Sequence, residues 1–184
     1  MTSTLVRYTI NDITVEMAQN NPNAPRYVFD SDESYDAYRL LADPIIEELT
    51  DKFVAHLEAT EAEKQVAYRA NIKTYGNTPA PKGRDMWGAI QHTYHNGSGV
   101  RIVSCSGHGG VLVSLPQEMK IDEPLRRGQY YEEDCDMMIV LAYNPRIAVK
   151  YNSSYFTDDI RQARRICAQA VVRYYPDAVR KIVN

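Results

Sequence analysis

The amino-terminal residues alternate between apolar and polar positions. Residues 4–10 (TLVRYTI) and residues 13–17 (ITVEM) both follow the two-residue period of a half-buried strand. Asn11 and Asp12 between them are a two-residue turn signal. The pattern therefore predicts an N-terminal β-hairpin, and residues 26–29 are a candidate third strand.

Three helix signals follow the hairpin. Ser31 can cap a short first helix, and Asp43 places a capping acid before Pro44 at the start of a second. Thr60 has capping-box spacing with the acid three residues later, and Gly76 is a typical helix stop. We therefore expect three helices here, the last two packed as an antiparallel helical hairpin.

Two short β-rich runs, residues 100–105 and 111–115, lie on either side of the sequence SGHGG. They predict a second hairpin, whose five-residue loop carries His108 at its tip. Glycines beside the histidine suit a backbone with positive φ and a close approach to a ligand. His92 and His95 precede these runs in a polar stretch that we expect to be a loop.

The remaining C-terminal segments favour helices. Residues 116–127 predict helical turns, and residues 160–174 show an apolar face at helical spacing, followed by a last turn or two from Pro176. Residues 130–143 fit either element, because their acids suit a helix first turn whereas Met-Ile-Val-Leu suits a buried strand; we favour a helix. The chain therefore predicts an α+β fold: a small antiparallel sheet of short hairpins packed with helices, and an acidic helical hairpin in the N-terminal half.

One linker-like stretch suggests how the chain is organised. Residues 77–83 (NTPAPKG) separate residues 1–77, a hairpin plus an acidic helical region, from residues 78–184, an α+β core. At 184 residues the chain has the length of one domain. We expect the two parts to form one compact unit.

Charge is unevenly distributed along the chain. The formal net charge is −3, but residues 30–63 hold eleven acidic and two basic residues, a local net charge of −9. Such a stretch can be a solvated helix surface, or its negative field can favour a basic partner. The acids that we assign to partner binding are Glu47, Glu48, Asp51 and Glu58.

Composition narrows the cellular setting and the class of protein. Three cysteines are too few for a disulfide framework, and an odd number fits a reducing compartment. The chain shows no signal segment and no run long enough to cross a bilayer. We expect a cytoplasmic protein. Its fourteen tyrosines suit half-buried surfaces and interfaces.

An ordered set of short motifs resembles an uncharacterised family of small proteins carried by phages, plasmids and other mobile elements. The motifs are Trp87-Gly88, Ser106-Gly107-His108-Gly109-Gly110, Tyr131-Glu132-Glu133-Asp134-Cys135 and Tyr175-Pro176-Asp177-Ala178. The resemblance covers about residues 84–184. This chain has Cys105-Ser106-Gly107 where the family usually reads Thr-Pro-Ser, and Met137 where an aromatic residue is usual. The resemblance implies mobile-element cargo that acts on the host or its defences, and it implies no reaction.

His108 is the main candidate for chemistry. Histidine can act as a general base, a proton donor or a metal ligand near neutral pH. The N–H groups of the loop glycines, Gly107, Gly109 and Gly110, could bind an anion. The loop could instead be a simple turn in which the imidazole caps the backbone.

Glu132 and Asp134 could act with His108. One of them could orient the imidazole, or the acids and His108 together could bind a divalent cation. The acids could instead interact favourably with a helix N-terminus. A catalytic cysteine would need a stabilised thiolate, for which the sequence shows no sign. We assign no metal site and no cofactor.

Two functions follow, from different classes. In the first, the chain is a non-enzymatic accessory protein of a mobile element. Its acidic surface binds a host protein in the host cytoplasm, such as a basic nucleic-acid-binding protein of a defence system, as an anti-CRISPR inhibitor would. We expect no membrane contact and no direct nucleic-acid binding. In the second, a small enzyme or ligand-binding protein uses His108 with Glu132 or Asp134, which requires these side chains to converge.

Overall fold

A computed structural model describes residues 4–10, 13–19, 32–79, 88–151 and 158–184 of the chain. These residues belong to two compact units, Met1–Glu48 and Leu49–Asn184. The sequence predicts a boundary between two parts of the chain at 77/78, whereas the boundary between the two compact units falls between Glu48 and Leu49. The candidate strand at 26–29 and Trp87 lie outside the described residues.

The first unit contains the predicted N-terminal hairpin. Strand β1 (Thr4–Ile10) pairs antiparallel with β2 (Ile13–Gln19). Ile10 pairs with Ile13 at the end of the register. The two predicted hairpin strands are therefore confirmed, and the predicted turn residues Asn11 and Asp12 lie outside the described residues.

A single long helix replaces the three predicted helices. Helix α1 (Asp32–Tyr75) has 44 residues and contains Pro44, so the expected helical hairpin is wrong. Thr60 does not act as a cap, because its hydroxyl donates to the carbonyl of His56 one turn earlier, a bond that a continuous helix permits. The predicted stop is confirmed: Gly76 has a φ of 72°, in the left-handed region.

A four-stranded antiparallel sheet lies in the second unit. Its strands, in the order in which they neighbour one another, are β3 (Ile90–Gly97), β4 (Val100–Cys105), β5 (Gly109–Val113) and β6 (Tyr130–Glu132). The loop expected around His92 and His95 is strand β3. As an edge strand with mostly exposed side chains, it lacks the apolar alternation that would have indicated a strand.

The turn between β4 and β5 is shorter than expected. Ser104 pairs with Gly109, and the backbone N–H of Cys105 donates to the carbonyl of His108 at 2.6 Å. The connection therefore contains three residues instead of five. The glycines that the sequence assigned to the loop, Gly109 and Gly110, begin strand β5.

Helices account for the rest of the second unit. They are α2 (Leu115–Lys120), a 3₁₀ turn (Glu123–Leu125), α3 (Asp136–Tyr143), α4 (Pro145–Tyr151), α5 (Ile160–Tyr174) and α6 (Pro176–Val183). The ambiguous stretch 130–143 contains both candidates, strand β6 and then helix α3. Asp159 caps α5 by accepting from two backbone N–H groups. The α+β class is therefore confirmed.

The core of the second unit lies between the sheet and the helices. Strands β4 and β5 and helices α3 and α5 bury most of their apolar side chains. Helix α1 contributes Leu49, Phe53 and Leu57 to this core. With Ile45, which is 52% exposed, they recur every four residues in the sequence as an apolar stripe of one helix face. Among the described residues, no helix combines the length and the apolar character needed to span a bilayer.

Candidate functional site

His108 lies at the solvent-exposed end of the sheet. The pairing of Gly110 with Glu132 brings the β4–β5 turn beside β6. The His108 Nδ1 atom is 4.0 Å from the Glu132 Oε1 atom, and the two side chains are 63% and 50% exposed. The structure thus brings together two of the predicted site residues, on an open surface rather than in the core.

Asp134 follows in the exposed turn between β6 and α3. The ion pair described for His108 is with Glu132 and not with Asp134. Among the described residues, no group of three or more His, Cys, Asp or Glu side chains could hold a metal ion. The acidic run therefore contributes one carboxylate to the His108 pair.

The three loop glycines have different roles from those expected. None of Gly107, Gly109 and Gly110 has a positive φ, so the expected left-handed turn is wrong. A Cβ atom on Gly109 would collide with the carboxylate of Glu133 and would lie 2.7 Å from the carbonyl oxygen of Val103. Glycine at this position allows the close approach of the protein's own Glu133 carboxylate, whose negative charge disfavours a bound anion beside Gly109.

Two tyrosines extend this surface, and the sequence did not point to them. The hydroxyl of Tyr94 on β3 lies 3.5 Å from the Ser104 hydroxyl, and Ser104 is the partner of Gly109 across the sheet. The rings of Tyr94 and Tyr151 meet edge to face at 5.8 Å. Burial, and then the charges of Tyr94 and Glu133, raises the pKa of Tyr151. Tyr151 is therefore a neutral phenol at physiological pH.

These side chains lie around the β4–β5 turn, at one end of the sheet and on both of its faces. Tyr94, Ser104, Glu133 and Tyr151 are on the face of Gly109, whereas Glu132 and its neighbour His108 are on the face of Gly110. We call this end of the sheet the loop-end surface, and its residues are Tyr94, Ser104, His108, Glu132, Glu133 and Tyr151. They come from separate parts of the sequence, so no local motif could have joined them.

The cysteines do not form a nucleophilic site. Cys105 is buried. Burial raises the pKa of the Cys135 thiol; a hydrogen bond with Tyr175 lowers it, and the carboxylates of Asp136, Asp134 and Glu132 raise it further. Burial raises the pKa of Cys167 to about 12. Cys135 and Cys167 are therefore protonated at neutral pH, whereas a nucleophilic cysteine needs a thiolate.

The motif tyrosines Tyr131 and Tyr175 have structural roles. The hydroxyl of the fully buried Tyr131 donates to Glu118, and the hydroxyl of Tyr175 donates to Asp136 at 2.6 Å. The guanidinium of Arg127 lies 4.7 Å from the centre of the Tyr175 ring. Tyr175, the N-terminal cap residue of α6, therefore ties the last motif of the resemblance to the first residue of α3, directly after the preceding motif.

Two of the four acids predicted to bind a partner, Asp51 and Glu58, form ion pairs within the protein. Asp51 accepts from Arg165 at 2.5 Å, and Glu58 lies 3.6 Å from Arg164. Both arginines are on α5, so these ion pairs hold α1 against the core. Glu47 and Glu48 belong to the other unit, and each has an interaction of its own.

Comparison with known proteins places the C-terminal part of the chain in a family. No curated protein matches the chain, and no solved structure matches it. A family model matches residues 81–184, which is more than half of the chain and contains the whole loop-end surface. The chain therefore belongs to the family described as a domain of unknown function, DUF7007.

Proposed function

We propose that this protein is a binding protein that uses the loop-end surface to contact a basic partner macromolecule. The observation that supports this proposal is the convergence of His108, Glu132 and the Tyr94–Tyr151 pair on one open end of the sheet. They come from strand β3, the β4–β5 turn, strand β6 and helix α4. A rigid, exposed group of aromatic and charged side chains is typical of a protein interface.

The chemistry of this surface favours positively charged side chains. Glu132 and Glu133 can each accept a charge-assisted hydrogen bond from a lysine or an arginine. The ring of Tyr94 is 58% exposed and offers a face for a cation–π contact. A partner with basic side chains can use both kinds of contact.

The loop-end surface is better suited to this role than the acids of α1. Asp51 and Glu58 are paired with Arg165 and Arg164, so a basic partner would have to compete with existing ion pairs. Glu132 is half exposed, and its neighbour His108 is more exposed still. We therefore assign partner binding to the loop-end surface, where the sequence favoured α1.

The resemblance to mobile-element proteins extends the proposal. We propose further that the partner is a nucleic-acid-binding protein of the host, and that the acids of the loop-end surface block its basic groove. The protein acts in the host cytoplasm as an accessory protein of a mobile element. The motifs within residues 84–184 support this setting, because four of them occur in the family's order.

A photo-crosslinking experiment tests the binding function. A photoreactive residue at Tyr94 should crosslink one defined host protein, and a photoreactive residue at the exposed Glu63 of α1 should not. Combined Glu132→Gln and Glu133→Gln substitutions should abolish the crosslink from position 94, because they remove both carboxylates. Asp51→Asn should leave it intact. Loss of the crosslink with Asp51→Asn alone would assign binding to the acids of α1 and refute the loop-end surface.

The His108–Glu132 pair also supports a second candidate function, a small enzyme. At 4.0 Å the carboxylate is close enough to orient the imidazole, as general acid–base catalysis requires. In this case His108→Gln should abolish turnover and leave the crosslinked complex intact. If the protein only binds a partner, His108→Gln should instead weaken the crosslinked complex, and the wild-type protein should show no turnover.

A further inference from the structure

A cleft in the second unit shares no residue with the loop-end surface. Its polar lining comes from α1, α2, α3 and α5 and consists of Glu61, Lys64, Gln65, Lys120, Tyr143 and Arg164. The space within it is about 250 Å³, including open solvent at its mouth. Much of this space is open solvent, so the cleft has room for a small group at its mouth and not for a drug-sized molecule.

The cations of this cleft are buried to an unusual degree. Lys120 and Arg164 are only 6% and 7% exposed, and the Lys64 side chain is 17% exposed. Charged side chains are almost never buried without partners, because burial removes their hydration. Burial, supported by the charges of Lys64 and Arg164, lowers the pKa of Lys120 to about 8, although Glu61 acts in the opposite direction.

Hydrogen-bond donors in the cleft are incompletely used. The Nε–H group of Arg164 is buried and has no hydrogen-bond partner among the residues that the structure describes. The Lys120 ammonium has three N–H donors. Among the described residues, one of them donates to the Asn144 side chain, at 2.9 Å. A buried donor without an acceptor is costly, and an acceptor placed in the cleft would remove that cost.

The nearby carboxylates do not neutralise the inner part of the cleft. Glu61 and Glu58 pair with Arg164 at 2.8 Å and 3.6 Å, but both are 49% exposed, so solvent screens their charge. Asp122 pairs with Lys64 at 2.6 Å. Among the described residues Lys120 has no such ion pair, and its buried charge is screened much less, so the unpaired positive charge of the inner wall is that of Lys120.

We propose that this cleft binds a small oxyanion, a phosphate group, through Lys64, Lys120 and Arg164. Such a group carries several acceptor oxygens and a charge of opposite sign. It would accept from the Lys120 ammonium and the Arg164 guanidinium, offset the repulsion between Lys120 and its neighbours Lys64 and Arg164, and remain partly in the open mouth. Arginine and lysine together are the side chains that proteins use for phosphate.

Titration of the full-length protein with inorganic phosphate tests the site. The binding is followed by calorimetry and by NMR at constant ionic strength, with chloride replaced by phosphate. Phosphate should bind saturably, and the NMR shifts should concentrate at Lys64, Lys120 and Arg164. Phenyl phosphate in a second titration shows whether the site also accepts an esterified phosphate; saturable binding of either compound supports the site.

Matched variants show whether the cleft is responsible. Lys120→Met should weaken phosphate binding by about tenfold or more, as expected for the loss of a buried charged contact. Arg164→Lys should also weaken it, because it keeps the charge and removes the Nε–H donor. Lys73→Met removes an exposed lysine of α1 and should change nothing.

Three results would overturn the proposal. They are the absence of saturable binding of both compounds, NMR shifts spread over exposed lysines, and equal weakening by the Lys73 and Lys120 variants. The NMR map of the wild-type protein needs no variant, so the site stays testable even where a substitution prevents folding.

Discussion

Replacing Lys120 with methionine should change how the stability of the protein depends on pH. The Lys120 ammonium is 6% exposed and packs 5.1 Å from the centre of the Tyr68 ring. Its pKa falls from an ordinary value of 10.5 to about 8, chiefly through burial. Methionine has a similar unbranched shape and cannot titrate, so the comparison isolates the charge.

The sign of the effect follows from proton binding. Between pH 8 and 10.5 the unfolded chain holds a proton on Lys120 that the folded protein has released. Stability therefore rises with pH in this window, because the unfolded state binds more protons. Below pH 8 both states are protonated and the full cost of burying the charge is present.

The magnitude follows from the two pKa values. The difference between 10.5 and about 8 corresponds to about 3 kcal/mol at 1.36 kcal/mol per pKa unit. Most of it should appear by pH 10. The free energy of unfolding of the wild type, relative to that of Lys120→Met, should therefore rise by about 2–3 kcal/mol between pH 7 and pH 10.

Urea denaturation at a series of pH values measures this difference. Other lysines and tyrosines titrate in the same range, but they are common to both proteins and cancel in the subtraction. Lys73→Met serves as the control, and its curve should run parallel to that of the wild type. Parallel curves for the wild type and Lys120→Met, within about 0.5 kcal/mol, would show that Lys120 is hydrated and would refute the reasoning.

Three further substitutions test the packing described above. Gly109→Ala should destabilise the protein by about 1–3 kcal/mol in thermal unfolding, because the added Cβ atom would meet a carboxylate and a backbone carbonyl. Gly107→Ala is the control and should be neutral, because a Cβ atom there meets nothing. Equal effects of the two substitutions would contradict this account of the turn. Tyr131→Phe should cost about 1–3 kcal/mol in urea unfolding, because the buried Glu118 loses its phenol donor; an unchanged midpoint would show that water replaces it. Thr60→Val should change stability by less than about 0.5 kcal/mol, and a loss of about 1 kcal/mol would indicate a helix cap after all.

Much of the local structure follows from the sequence alone. The N-terminal hairpin, strand β4 and helix α5 were predicted close to their observed bounds, because period, turn residues and capping residues act over a few neighbours. The proximity of His108 to an acid was also anticipated. The turn predicted around His108 is longer than the observed turn by two glycines, because strand pairing across the sheet determines where β5 begins.

The helical part of the prediction was wrong where local signals competed with the continuous helix. Thr60 has the spacing of a cap, and the same hydroxyl can instead bond one turn back within a helix. Propensity and capping are worth about 1 kcal/mol, and the burial of Phe53 and Leu57 against the core outweighs them. The apolar stripe on α1 can be read from the sequence, but the core against which it packs cannot.

The binding surfaces depend on the tertiary structure. Tyr94, His108 and Glu132 are far apart in the sequence, and the order of strands in the sheet brings them to one end. Lys120 and Arg164 look like ordinary surface cations in sequence, because their neighbours along the chain say nothing about burial. Periodicity along the chain thus determined the elements, while packing between them determined which charges meet and which lose their water, since both effects depend on distances through space.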